Sequence, residues 1–144
     1  MKSILALLWL FFVSFSCAAQ QYNSFKKFPI DNPLSYKSVQ TITQDKEGFI
    51  WLGTQEGLHR FDGYQFLSFH HDASEKNSLS SNVISRVLID HANQLWVATR
   101  GGGLNIYQDI SQDFRRVDSK NTALKLTNDN VNALIEDKNN NLWV

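Results

Sequence analysis

The sequence predicts an all-β chain: an incomplete β-propeller of about two and a half four-stranded antiparallel blades, preceded by a signal peptide helix. Three observations carry this reading. Trp51, Trp96 and Trp143 recur at intervals of 45 and 47 residues, a period that belongs to blade repeats. Around them lie short β-branched and aromatic runs separated by Gly, Asn and Asp, the pattern of strands joined by hairpins. Ahead of them stands an apolar leader closed by small residues.

In order along the chain, residues 1–19 read as a signal peptide. Met1 and Lys2 give the positive start, Ile4 to Phe15 is apolar except at Ser14, and Ser16-Cys17-Ala18-Ala19 supplies the small residues a peptidase reads. Cleavage is placed after Ala19. Two alternatives stay open: Cys17 as a lipoprotein acceptor, although Ser14-Phe15-Ser16 lacks the usual aliphatic residue, or an uncleaved anchor. Each puts the remainder outside the cytoplasm. Residues 20–33 form a strand and linker, in which Phe25-Lys26-Lys27-Phe28 resembles Phe66-Leu67-Ser68-Phe69 and Phe114-Arg115-Arg116-Val117. Such an outer strand without its own blade can close a ring by pairing with the last blade.

Blade 1 is placed at 34–78, with strands at Thr41–Gln44, Ile50–Gln55, Leu58–Phe61 and Gln65–Phe69. Asp45-Lys46-Glu47-Gly48 makes its first hairpin: the Asp carboxylate accepts backbone N–H groups and Gly tolerates positive φ. Asp62-Gly63 is a strong two-residue turn signal. Adding 45 moves Asp45, Trp51 and Thr54 onto Asp90, Trp96 and Thr99 of blade 2, at 79–125, while Gly57 maps onto Gly103 after one inserted residue. Gly57 and Gly103 serve a second tight turn, and Gln108 to Asp113 is a longer one. Adding 47 gives Asp137 and Trp143 in the truncated start of blade 3, at 126–144. Asn93 and Asn140 stand where blade 1 has Gly48, and Asn is the next residue most tolerant of that backbone region.

Composition bounds the function. Fourteen basic and fourteen acidic residues cancel, which excludes a broad electrostatic nucleic-acid binder, so no nucleic acid is expected among the partners. An aromatic content of 12% excludes a disordered chain, and a single cysteine excludes a disulfide framework. No catalytic, cofactor or metal residues are assigned. His59, His70, His71 and His91 read as solvent-facing loop residues without ligand spacing. Asp45, Asp90 and Asp137 read as turn caps rather than a catalytic ring, and Gly101-Gly102-Gly103 as a hairpin rather than a phosphate loop. The three tryptophans read as inter-blade packing rather than sugar platforms. Weak ligand-binding candidates are Gln55, Glu56 and Arg100, in the turn between second and third strands, where scaffolds carry recognition. Asn32, Asn77 and Asn121 recur between blades and are ambiguous.

The run Ile42 to Phe61, repeated as Val87 to Tyr107 and in part as Leu134 to Val144, resembles the two-component regulator propeller repeat. Ala98, Asn93 and Asn140 are mild departures, each standing for Gly. The resemblance implies the periplasmic sensor region of a bacterial signalling receptor. Its output would be a histidine kinase or diguanylate cyclase, its parent membrane-anchored and dimeric, its ligand an oligosaccharide or other small molecule. The partners it implies are the remaining blades of a longer protein. The unfinished strand Asn141-Leu142-Trp143-Val144 and its open edge lead to the same expectation, a truncated reading that aggregates when isolated. Self-assembly of several copies into a ring is the competing arrangement. The rival functions are a fragment of a secreted propeller hydrolase or lyase, and of an exported structural or adhesive propeller.

Overall fold

The computed structural model describes residues 38–120 and 124–144. The leader, the segment Phe25–Phe28, Asn32 and Asn121 lie outside the described residues. Ten strands and no helix occur among the described residues, and no helix there is long and apolar enough to cross a membrane.

The first sheet contains β1 (Thr41–Gln44), β2 (Ile50–Gly53), β3 (Leu58–Phe61) and β4 (Phe66–Phe69), in spatial order 1-2-3-4 and antiparallel throughout. The second repeats it with β5 (Ile84–Ile89), β6 (Leu95–Thr99), β7 (Gly103–Gln108) and β8 (Asp113–Val117). A third begins as the hairpin of β9 (Ile135–Glu136) and β10 (Leu142–Trp143). Two strands are shorter than the residue pattern suggests. β2 stops at Gly53 because Thr54 already turns, its N–H donating to the Gly57 carbonyl at 3.0 Å. β4 starts at Phe66 because the Gln65 N–H is held by the Asp62 carboxylate at 2.8 Å.

The first hairpin of each repeat is built alike. Asp45 Oδ1 accepts the Phe49 N–H at 2.8 Å, Asp90 Oδ1 accepts those of Ala92 and Gln94 at 2.9 and 2.8 Å, and Asp137 Oδ1 accepts those of Asn139 and Asn141 at 2.8 and 2.9 Å. Gly48 takes φ 92°, and Asn93 and Asn140 take 65° and 64° at the matching place. The other carboxylate oxygen does something the periodicity did not show. Asp45, Asp90 and Asp137 Oδ2 accept the indole N–H of Trp51, Trp96 and Trp143 at 2.7, 2.8 and 2.8 Å. One aspartate thus closes the turn and fixes the ring that packs the blade.

Blades stack through a repeated seam. β5 lies against β1 and β2, and the Ile84 N–H donates to the Thr54 carbonyl at 2.8 Å. One repeat later the Val131 N–H donates to the Thr99 carbonyl at 3.1 Å. The first seam is an apolar core of Trp51, Leu58, Leu79, Ile84, Val87 and Leu95, with Tyr107 and Phe114 adding edge and tilted ring contacts. Blades approach so closely that a Cβ on Gly53 would lie 2.5 Å from Ile84 Cγ2. The second seam is smaller, with Ala98, Leu104, Ile106, Val117 and Val131. Trp51 is 2% exposed, Trp96 half-buried and Trp143 61% exposed.

Candidate functional site

A groove opens at the seam end of the blades, where the β2–β3 and β6–β7 turns meet the starts of β1 and β5. Its volume is about 240 Å³, and it is lined by Gln40, Gln55, Arg86, Arg100 and Asn132 with Val83, Ile84 and Ser85. The strands supply the rigidity and the turns supply the side chains. Gln55 follows β2 and Arg100 follows β6, at the same repeat position 45 residues apart. Gln40, Ser85 and Asn132 likewise share one repeat position, one from each copy.

Two of the three weak candidates meet here. Gln55 and Arg100 line the groove, and both are exposed. Glu56 is not part of that lining; its N–H donates to Thr54 Oγ1 at 3.0 Å and its carbonyl accepts His70 Nδ1–H at 2.9 Å. Gln40, Arg86 and Asn132 were missed by sequence reasoning. The available signal for Asn132 was its repeat position. Arg86 had none, because its counterpart in the first blade, Thr41, is buried.

The structural residues lie away from this groove. Asp45, Asp90 and Asp137 sit in the first hairpins with their tryptophans, as described above. In Asp90, burial pushes the carboxyl upward, but hydrogen bonds from the Trp96 indole and the Gln94 and Ala92 amides outweigh it, and the net shift is downward. The Trp143 indole is the main cause that holds Asp137 at about 2, with Asn141 adding its backbone and side-chain donors. Gly57 and Gly103 take φ 131° and 75° in the second turn, and Thr54 and Thr99 Oγ1 each donate to their carbonyls at 2.9 Å.

The histidines require a correction. His59 is not a solvent-facing loop residue: it lies in β3, fully buried. Its Nδ1 is 2.8 Å from Ser68 Oγ and its Nε2 3.5 Å from Thr54 Oγ1, so both ring nitrogens face hydroxyls. Asn105 holds the matching place in β7, also fully buried, where its Oδ1 accepts the Ser80 N–H at 2.9 Å and its Nδ2 donates to Ser80 Oγ at 2.8 Å. A polar pin at this position ties a blade together, and alternation of the strand places it inward. His71 Nδ1 donates to the Leu79 carbonyl at 2.7 Å. His91 remains exposed in a hairpin and bonds Glu136 of the next repeat through both its backbone N–H and its ring. Among the described residues, no group of three His, Cys, Asp or Glu is placed to hold a metal ion. Asn77, ambiguous in the sequence, anchors an outer strand: its carbonyl accepts the Phe114 N–H at 2.7 Å and its Nδ2 donates to Asp113 at 2.9 Å.

Comparison with known proteins follows this geometry. The family model described as two component regulator propeller matches residues 33–56, 78–101 and 125–144. A histidine kinase from Formosa agariphila is 44% identical over 71 residues, which cover 48% of this chain and 5% of that protein. The extracellular domain of a protein assigned as a hybrid two component system from B. thetaiotaomicron superposes with a TM-score of 0.72 at 31% identity, covering 82% of this chain and 17% of that one. A second such extracellular domain from the same organism gives 0.58 at 29% identity, over 85% of this chain and 17% of that one. The chain thus spans a small part of the length of the proteins it matches.

Proposed function

The chain belongs to the two component regulator propeller family, and from that premise we propose that it is the N-terminal part of an exported, periplasmic ligand-sensing propeller of a bacterial transmembrane receptor. The receptor's ligand is an oligosaccharide, its output a histidine kinase or diguanylate cyclase, and its working form a membrane-anchored dimer. The observation that supports this best is the match of the stacked four-stranded sheets to the extracellular domain of a hybrid two component system. The role assigned to these blades is recognition, with chemistry left to the output module.

The mechanism follows from rigidity. Blades joined by backbone hydrogen bonds and an apolar, aromatic seam move as one piece, while polar turns at their ends are free to contact a ligand. Capture changes signalling only when the ligand binds one receptor state more tightly than the other. The test is a transcriptional reporter in cells expressing the receptor, run beside calorimetry on the exported region with a panel of oligosaccharides from polysaccharide breakdown. A saccharide that both binds and switches the reporter supports the reading. Binding of none, with a reporter that stays silent across the panel, removes it.

A further inference from the structure

The groove brings two arginines, Arg86 and Arg100, into one lining without a carboxylate beside them. Among the described residues neither guanidinium forms an ion pair or a side-chain hydrogen bond. Two other arginines, Arg60 and Arg116, are occupied. Arg60 lies over the Phe49 ring at 4.5 Å, and Arg116 donates to the carbonyls of Glu75, Ser78 and Leu79.

Two devices bring the pair together. The first is the repeat, which places Arg100 on the turn position that is Gln55 in the preceding blade. The second is an irregularity. In β1 the register with β2 runs without a break, and Thr41 points inward, where its Oγ1 accepts the Val87 N–H at 3.2 Å. In β5 the register with β6 shifts between Ile84 and Arg86, so Ser85 is an extra residue. Such bulges re-aim a neighbouring side chain. Arg86, which repeats Thr41, is exposed and lines the groove. Packing holds the identity of the Asp, Trp and Thr positions across copies. The groove positions vary instead, as Gln40, Ser85 and Asn132, and as Gln55 and Arg100.

We propose that this groove is an anion subsite in which Arg86 and Arg100 bind the carboxylate or sulfate of an acidic sugar, while the amides of Gln40, Gln55 and Asn132 take its hydroxyls. Guanidinium forks match planar oxyanions, and charge-assisted bonds are the stronger ones. A volume of about 240 Å³ suits a single sugar ring. This rests on the ligand-sensing reading above and narrows it to acidic saccharides.

The test uses the full chain, isotope-labelled, at low ionic strength. It is titrated separately with sodium glucuronate, glucose 6-sulfate, glucose and sodium sulfate, and followed by arginine Nε–H resonances and calorimetry. Glucuronate and glucose 6-sulfate should shift the Arg86 and Arg100 signals, and glucose should not. Arg86→Gln and Arg100→Gln should each weaken glucuronate about tenfold, and Arg115→Gln, exposed on β8, should leave it unchanged. All three replaced residues are exposed, and matching melting curves establish that the variants fold. Equal binding of glucose and glucuronate, indifference to Arg100→Gln, or no anion binding overturns the proposal. The two readings separate cleanly. A neutral oligosaccharide that binds independently of both arginines leaves sensing intact and removes the anion subsite. Sulfate held by the two arginines, with neither glucuronate nor glucose 6-sulfate bound, overturns the sugar subsite, and saccharide sensing then stands or falls with the reporter panel.

Discussion

Replacing the repeated tryptophan should cost very different amounts in different copies. Trp51 is 2% exposed, packed at 4.9 Å ring-centroid distance from Tyr107 of the next blade and stacked on Phe69 at 5.8 Å. A buried tryptophan removes roughly 200 Å² from water, worth about 5 kcal/mol at about 25 cal/mol/Å². The seam is held by backbone hydrogen bonds and collapses little, so Trp51→Ala should destabilise by about 3–5 kcal/mol. Trp143 makes the same indole bond to its aspartate but is 61% exposed. Its buried remainder accounts for about 2 kcal/mol at most on the same scale, and the loss on Trp143→Ala should be nearer about 1 kcal/mol because its exposed hydrogen bond adds little. The assay is urea unfolding of the full chain at low micromolar concentration, where self-association is suppressed, followed by far-ultraviolet circular dichroism. Equal midpoints for the two variants would refute the claim that blade stacking, rather than the Asp–Trp bond, carries the energy.

Further predictions concern the turns and the buried pins. Asp137 is depressed from 3.8 to about 2, so its contribution is fully present above the unfolded value and is lost as pH falls through the folded one. The Trp143 indole N–H resonance should therefore titrate with a midpoint near 2, and a midpoint near 4 would show that the bond is absent in solution. Gly103 and Gly63 both have positive φ, but a Cβ on Gly103 would press into the Val117 carbonyl, whereas one on Gly63 would meet nothing within 4 Å. Gly103→Ala should cost about 1–3 kcal/mol more than Gly63→Ala, as compared by urea midpoints. His59→Leu should cost about 1–3 kcal/mol by leaving the part-buried Ser68 hydroxyl without its ring partner, while Thr54 Oγ1 keeps its bonds to Gly57 and Glu56. His59→Asn, the side chain used at position 105, should recover part of that loss in the same assay.

Much of the architecture was legible because hairpin chemistry is local. Asp at the turn start, Gly or Asn at the positive-φ place and an apolar strand after it specify a hairpin whatever surrounds it, and their recurrence at 45 and 47 residues counts the blades. The family resemblance drew on those same positions. The aspartate's bond to the indole was not legible, since the reading of Asp as a backbone cap left its second oxygen unassigned. His59 was misjudged for a related reason: a histidine in a short strand shows no exposure signal until the partner across the strand, Ser68, is in place.

By itself, the order of residues determined the strands, the turns and the repeat, because each depends on contacts within a few positions. What covers a repeated residue was decided only in three dimensions: Trp51 packs against Tyr107 of the next blade and Phe69 of its own, contacts that no local pattern records. The groove is likewise a tertiary product. The pairing of β5 is irregular next to Arg86, which lines the groove together with the turn residue that repeats Gln55, and no linear pattern records a shift of register between two strands.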